Sequence, residues 1–353
     1  MSQLVRQHLS QHDAAEQLPL VTDEAVVTDV TYRDRDRREE VVEATASLLH
    51  DYGRSEWVET EGDEVTGVDW DAIDQFVETG ADGESHLAEH LKTLSGRYSR
   101  PHPSLLSFRF HAEDVDFEYA PGQYAAVRFE RTPRAYSLAN SPNEDETEVC
   151  VRRVPGGRLT TKLFTDLAEG DEITIRGPAG EFVLQEPSHR DMVFIATGTG
   201  VAPLKAMIDY TFEEGRDEFE GQTRDVWLVL GSSWEDDLPY HEDWKRYDDE
   251  RENFHYVPTL SRENVLTDWE GETEYVQRTF LKYFEDGSVE ASALDESLRQ
   301  FLDEEPAYDV DARIHPEHLE VYACGINAMV FPLVDVVQSA GVPDECIESE
   351  GYG

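Results

Sequence analysis

Near residue 190 the hydrophobic pattern of this chain changes period, and no other feature limits its fold as strongly. From about 100 to 185 the period is two. In LLSFRFHA, Leu106, Phe108 and Phe110 point one way while Ser107 and Arg109 point the other. AAVRF, EVCVRRV and DEITIRG repeat the alternation, with Pro-Gly, Ser-Pro-Asn and Gly-Gly turns between them. Short alternating strands at this spacing predict a small antiparallel β-barrel. From about 190 the pattern becomes continuous apolar runs, MVFIA, VWLVLG, FHYVPTL and LEVYACG. Amphipathic stretches separate or follow them: VAPLKAMIDYTFEE, HEDWKRYDD, EYVQRTFLKYF and INAMVFPLVDVVQSAG. Buried strands alternating with helices predict a doubly wound α/β domain that binds ligands at the carboxyl ends of its strands. The acidic stretch 285–317 interrupts that order and reads as a surface excursion.

The first hundred residues have a third texture, polar and mostly helical. EEVVEATASLLHDYG stops at Gly53, DWDAIDQFVETG reads as a short helix, and ESHLAEHLKTLSG places Leu87, Leu91 and Leu94 on one face. The barrel region lacks one strand before PGQY, and Ala25–Tyr32 alternates well enough to supply it. Residues 33–98 then become an insertion in a surface loop, which loop-closure entropy tolerates.

Composition removes several classes of function. With 77 acidic and 30 basic residues the formal net charge is −47. Such a field repels nucleic acid and anionic membranes. The acids are spread over nearly every helix and loop, a distribution expected of a protein adapted to a high-salt cytoplasm, where salt screens self-repulsion. Three cysteines, Cys150, Cys324 and Cys346, allow neither a disulfide framework nor a four-cysteine cluster. No stretch approaches a membrane span, and MSQLVRQHLSQHDAAEQ has no apolar signal core, so a cytoplasmic location is expected.

Several short stretches carry chemistry. RAYSLANS puts Arg134, Tyr136 and Ser137 within four residues: a fixed cation, a flat ring and a hydroxyl. ATGTGVAP directly follows MVFIA and precedes a helix, so its glycines let backbone N–H groups and the positive end of a helix meet phosphate. A plain β–α turn would read the same way, since this is not the G-x-G-x-x-G pattern. GGRLTTKL sets Thr160 after a Gly-Gly turn, as a phosphate clamp with Arg134 or simply as a capping residue. ACGIN puts Cys324 at a strand tip, where it suits ligand contact or small core packing. ESEGYG places Glu350 and Tyr352 in what could equally be a frayed tail. HLAEH (His86, Glu89, His90) fits a three-letter zinc-peptidase pattern, for which a solvated helix face is the better reading, as it is for HPEH at 315–318. No metal site is expected.

Taken in order, PGQY, RAYS, GGRLT, GPAGEF, GTGVAP, LGSS with DDLPY, SRE with YVQ, YACGINAM and EGY resemble the ferredoxin–NADP reductase family from about residue 100 onward. The resemblance implies an FAD-binding barrel over 99–187, a nicotinamide-dinucleotide domain over 188–353, and a mostly helical region over 1–98 with no assigned role. It implies that Arg134 and Thr160, with the Gly157 turn, bind the FAD pyrophosphate, that Tyr136 packs on the flavin and that Ser137 bonds near its reactive edge. Gly198, Thr199 and Gly200 would take the dinucleotide phosphates. Cys324 would lie beside the nicotinamide with Glu350 nearby, and Tyr352 would cover the flavin. Ser261, Arg262 and Tyr275 match positions that contact a 2′-phosphate, which favours NADP over NAD. One departure weakens that preference: Thr273, between Glu272 and Glu274, stands where a Lys is expected.

The leading expectation is therefore an FAD-dependent reductase passing hydride between NADP(H) and flavin, and single electrons to or from a carrier such as a ferredoxin or flavodoxin. Carrier docking calls for cations, and RDRDRR at 33–38 is the basic cluster available. The alternatives are an NADH-dependent reductase component of an oxygenase and a non-catalytic electron-transfer flavoprotein subunit.

Overall fold

Val21–Tyr32 (β1) runs at the centre of the first sheet, with Leu105–Ala112 (β4) on one side and Glu172–Ala179 (β8) on the other, antiparallel to both. The computed structural model describes residues 11–79, 84–115 and 117–352. A short helix, Gln11–Gln17 (α1), precedes β1, and the first ten residues of the MSQLVRQHLSQHDAAEQ segment lie outside the described residues. The sheet is completed by Tyr124–Phe129 (β5), Thr132–Ser137 (β6) and Thr147–Arg152 (β7), in the order β6-β5-β8-β1-β4-β7. A bridge from Leu138 to Val149 ties the end of β6 to β7, so the sheet is a nearly closed barrel. Its inward residues, among them Val27, Phe108, Phe110, Val127 and Ile175, form one buried core. The helix Arg158–Thr165 (α5) adds Leu159 and Leu163 to that core.

The second sheet is wholly parallel. Its strands are Asp191–Thr197 (β9), Val226–Ser232 (β12), Phe254–Leu260 (β13), Leu319–Ile326 (β14) and Ile347–Tyr352 (β15), in the order β13-β12-β9-β14-β15. The short hairpin of Glu218–Phe219 (β10) and Gln222–Thr223 (β11) precedes β12. The helices Val201–Glu213 (α6), His241–Glu250 (α7), Val276–Leu281 (α8) and Asn327–Ser339 (α9) cover the two faces, each with its own apolar core. Strands buried on both faces must be apolar throughout, which is why these segments do not alternate. The terminal ESEGY is a strand paired along β14, not a frayed end.

Two local expectations are corrected. α8 is shorter than EYVQRTFLKYF predicts, because Phe284 turns away to bridge Ile314. The stretch 285–317 is more than a surface excursion: Val289, Leu294, Phe301 and Ile314 are buried against Phe280 and Leu281. Their spacing among so many acids has no helical or strand period, so the pattern hid them.

Residues 33–98 fold as a unit between β1 and β4. It comprises Arg38–Asp51 (α2), a hairpin of Val58–Glu61 (β2) and Glu64–Val68 (β3), Trp70–Thr79 (α3) and Ser85–Tyr98 (α4). Leu49, Ile73, Leu87 and Leu91 make a separate small core. At its base the Asp34 carboxylate accepts bonds from the N–H groups of Ser104 (2.8 Å) and Leu105 (3.1 Å), holding the two ends together. The basic cluster RDRDRR is not a free cationic patch: Arg35 and Arg38 are exposed, but each of the four arginines holds a carboxylate. Arg33 pairs with Glu148, Arg35 with Glu40, Arg38 with Asp36, and Arg37 is buried against Glu263.

Candidate cofactor cleft between barrel and parallel sheet

A cleft of about 1290 Å³ opens where the mouth of the barrel meets the carboxyl ends of β9, β12 and β13. That is larger than the roughly 300–1,000 Å³ of a site for one small ligand. Its barrel wall comprises Tyr124, β6 through Arg134, Tyr136 and Ser137, and the turn from Arg152 to Thr160. Thr197–Thr199, Ser232, Ser261, Tyr275, Glu350 and Tyr352 form the opposite wall.

Charge pairing sets three arginines of the barrel wall apart from the ion-paired arginines of this chain, although Arg152 of the same wall holds Asp237. With acids outnumbering bases by 77 to 30, arginines elsewhere in this chain are commonly paired: Arg33, Arg37, Arg97, Arg100, Arg109 and Arg224 all hold carboxylates. Arg134, Arg153 and Arg158 have no carboxylate partner among the described residues, although all three line the cleft. Arg134 donates only to the neighbouring Pro133 carbonyl (2.9 Å), and Arg153 reaches the Pro103 carbonyl at 3.5 Å. Three unpaired guanidinium groups around one opening make an electropositive spot suited to phosphate oxygens.

Across the cleft, the β9–α6 turn presents backbone donors. Gly198 has φ +52°, a left-handed conformation that favours glycine. A Cβ on Gly200 would come within 2.4 Å of the Cys324 carbonyl oxygen, so the turn needs glycine to pass beneath the end of β14. No side chain caps α6; the Val201 N–H is taken by carbonyls of the preceding turn and Pro203 has none, so the positive end of the helix dipole is what this turn chiefly offers an anion. Thr160 serves the other wall indirectly. Its hydroxyl accepts from the Val154 N–H (3.1 Å) and shapes the turn that carries Arg153 and Arg158.

Titratable groups gather at the apolar end. Burial pushes the Tyr136 phenol up to about 12, against the opposing effect of Arg134. Glu350 stands opposite Cys324 in the β14–β15 register, and burial raises its carboxyl above the ordinary glutamate value. Burial also raises the Cys324 thiol strongly, and the neighbouring Glu350 charge adds to the effect. Tyr352 is 41% exposed at the cleft and bonds to Thr199, yet desolvation still raises its phenol.

The region expected to meet a 2′-phosphate is only partly assembled in the lining. Ser261 and Tyr275 line the cleft, Tyr275 being 61% exposed, while Arg262 is exposed outside the lining and has no carboxylate partner among the described residues. The acids beside Thr273 are neutralised locally. Glu272 is buried on Lys282 (3.0 Å) and the Tyr283 hydroxyl, and Glu274 pairs with Arg278 (2.9 Å).

Eleven of the residues singled out in the sequence line this one cleft: Arg134, Tyr136, Ser137, Gly157, Thr160, Gly198, Thr199, Ser261, Tyr275, Glu350 and Tyr352. Gly200, Arg262 and Cys324 do not, and Cys324 is only 1% exposed, beneath the lining. Sequence reasoning missed Tyr124, Cys150, Arg152, Arg153, Arg158 and Asp237. The run RRVPGGR was the available signal, since its arginines flank a turn without a nearby acid. The His86 and His90 rings lie 4.1 Å apart between centres and are tilted by 52°, and no group of three metal-capable side chains forms among the described residues.

A nearly closed antiparallel barrel joined to a parallel sheet, with two facing anion sites in the cleft between them, defines a two-domain oxidoreductase that binds a flavin and a dinucleotide. Comparison with known proteins agrees. Residues 101–184 match the oxidoreductase FAD-binding domain family and residues 194–332 the oxidoreductase NAD-binding domain family. This chain belongs to the ferredoxin reductase-type family of FAD-dependent oxidoreductases. It is 30% identical over 168 residues to protein RfbI of Salmonella typhimurium, covering 47% of this chain and 48% of that protein. It is 30% identical over 216 residues to the phenol hydroxylase P5 protein of Acinetobacter pittii, covering 60% and 59%. The chain thus spans about half the length of the curated relatives it matches. Among solved structures it shares its fold with a ferredoxin reductase in carbazole 1,9a-dioxygenase, at TM-score 0.59 and 19% identity, covering 96% of this chain and 71% of that one. No helix among the described residues is long and apolar enough to cross a membrane.

Proposed function

We propose that this protein is an NAD(P)H-dependent flavoprotein reductase that takes hydride from a nicotinamide dinucleotide onto FAD and hands electrons singly to a carrier protein such as a ferredoxin or flavodoxin. The observation that carries the reading is the pair of anion sites in one cleft: three unpaired arginines on the barrel wall and the uncapped start of α6 opposite. One diphosphate can be held on each wall, with the two ring systems directed to the space between. In this assignment β1 and residues 99–187 form the FAD domain, and 188–353 form the dinucleotide domain.

FAD, when bound, supplies an acceptor that takes two electrons as hydride and releases them one at a time. The protein's own residues bind, align and exclude water. Arg134 neutralises phosphate together with Arg153 and Arg158, while the Thr160 hydroxyl keeps their turn in shape. Tyr136 offers a ring face and Ser137 a hydroxyl beside it. Tyr352 covers the apolar end and leaves when the nicotinamide enters. Glu350, with its carboxyl biased toward the protonated form by burial, can hold a proton at the cleft end of β15. Cys324 contributes packing under that end from below the lining.

We assign NADPH as the preferred donor because Ser261 and Tyr275 line the cleft, Arg262 follows Ser261 with no carboxylate partner among the described residues, and the acids beside Thr273 are already neutralised. The likeness to a phenol hydroxylase component and to a dioxygenase-associated reductase supports a second reading, an NADH-dependent reductase component of an oxygenase. Anaerobic titration of the FAD-loaded protein with each nucleotide separates them. Flavin absorbance that bleaches at much lower NADPH than NADH supports the first, and the reverse order supports the second. A protein that cannot be loaded with FAD would refute both.

A further inference from the structure

The insertion 33–98 grips the two loops that carry the dinucleotide side of the cleft, and it does so with buried ion pairs. Arg37, 1% exposed, donates from Nη2 to Glu263 Oε1 (2.8 Å) and from Nη1 to Glu263 Oε2 (2.9 Å). Glu263 is itself fully buried and sits two residues after Ser261. Its carboxylate also accepts from the Glu235 N–H (2.8 Å) and from the Thr267 hydroxyl (3.0 Å), so it ties the turn after β12 to the turn after β13. The same two turns are joined by Ser261 N–H to the Ser232 carbonyl (3.0 Å) and Arg262 N–H to the Ser233 carbonyl (3.1 Å). Further along, Arg97 holds Asp236 (2.7 Å), and Arg100 holds Asp237, a residue of the cleft lining that also receives Arg152 from the barrel (3.0 Å).

A buried bidentate pair is a geometric constraint as much as a source of stability. Removing one partner leaves an uncompensated charge, which is relieved by neutralisation or by moving its loop toward water. Here the loop that would move carries Ser261 and Arg262. The insertion has its own core, is closed at its base by Asp34, and is rooted in the barrel at β1 and β4. It therefore sets the dinucleotide loops against a frame built on the FAD domain.

We infer that the insertion is a clamp, and that Arg37, acting through Glu263, is a positioning residue for the dinucleotide. The inference rests on the reading that this end of the cleft takes NAD(P)H. Its consequence is selective: the nucleotide site depends on the insertion, whereas the FAD wall of Arg134, Arg153 and Arg158 does not.

The test uses the full-length, FAD-loaded protein and the variants Arg37→Met, Arg37→Lys and Glu263→Gln. For each, FAD stoichiometry, KM for the better nucleotide, and kcat with ferricyanide as acceptor are measured. Arg37→Met is expected to raise KM about tenfold or more while kcat stays within about threefold and FAD stays bound, with Arg37→Lys intermediate. If Arg37→Met does not fold, Arg37→Lys and Glu263→Gln are judged by the same split. An unchanged KM in folded, FAD-bound variants overturns the inference. So does a rise in KM matched by parallel losses of kcat and FAD content, which is the signature of a merely structural pair. A wild-type protein that neither NADPH nor NADH reduces overturns the underlying functional reading as well, and the two failures are thereby told apart.

Discussion

Glu350 is an acid whose environment opposes its charge. It lies half-buried in the cleft, and burial alone lifts its carboxyl above the ordinary 4.5. Between that value and its raised one, the folded protein keeps a proton that the unfolded chain has released. Stability is therefore lost as pH climbs through this window, and the cost is complete above it. Glu350→Gln removes the titration. The variant should melt at the same temperature as wild type near about pH 4 and higher than wild type at about pH 7. Melting curves across that range check this, and parallel profiles would sink it. At this scale the sequence brought Arg134, Tyr136 and Ser137 to notice because one strand carries a cation, a ring and a hydroxyl within four residues. It could not reveal Arg153 and Arg158, because whether an arginine is free depends on where distant carboxylates fall.

Between elements, the β9–α6 turn shows why certain glycines are required. A Cβ on Gly200 would lie 2.4 Å from the Cys324 carbonyl oxygen and 2.8 Å from its carbon, both backbone atoms that cannot rotate aside. Gly200→Ala should therefore cost about 1–3 kcal/mol, as other overpacked sites do, and raise KM for the nucleotide while FAD remains bound. Gly96, in α4, has open space around its Cβ direction and serves as the control. Gly96→Ala should be neutral or stabilise by up to about 1 kcal/mol. Urea midpoints for the two variants compare them directly, and equal shifts would refute the steric account. β1 was legible as the missing barrel strand because period two survives even far from its partners. The buried residues of 285–317 were not, since an irregular segment packs through contacts that leave no period.

For the whole molecule, the decisive quantity is a net charge of −47. Self-repulsion between exposed acids acts over about 10 Å at 0.1 M salt and about 3 Å at 1 M. The melting temperature of the FAD-loaded protein should therefore rise steadily with KCl toward molar concentrations, and a flat or falling trend would contradict the electrostatic account. Buried pairs such as Arg37–Glu263 and Arg224–Glu320 are shielded from that screening, so the clamp should hold at every salt concentration in which the fold persists. Chloride rather than sulfate is the appropriate anion, because sulfate also strengthens burial by exclusion.

What the sequence determined by itself is local and periodic. It specified a barrel followed by a doubly wound sheet, since strand and helix periods are written along the chain. It also placed most cleft residues, since RAYS, GGRLT, GTG and EGY each sit at a predictable end of an element. Only the tertiary structure decided which charges are spent and which are free. RDRDRR, basic on paper, is paired with carboxylates of this chain, whereas three arginines around the barrel mouth have none. It likewise decided that Cys324 lies beneath the cleft and that the insertion is tied through Arg37 to Glu263, in the turn after β13. The physical reason is the same in each case. Ion pairing and burial depend on distances between residues far apart in sequence, 226 positions for Arg37 and Glu263, and those distances exist only once the chain has folded.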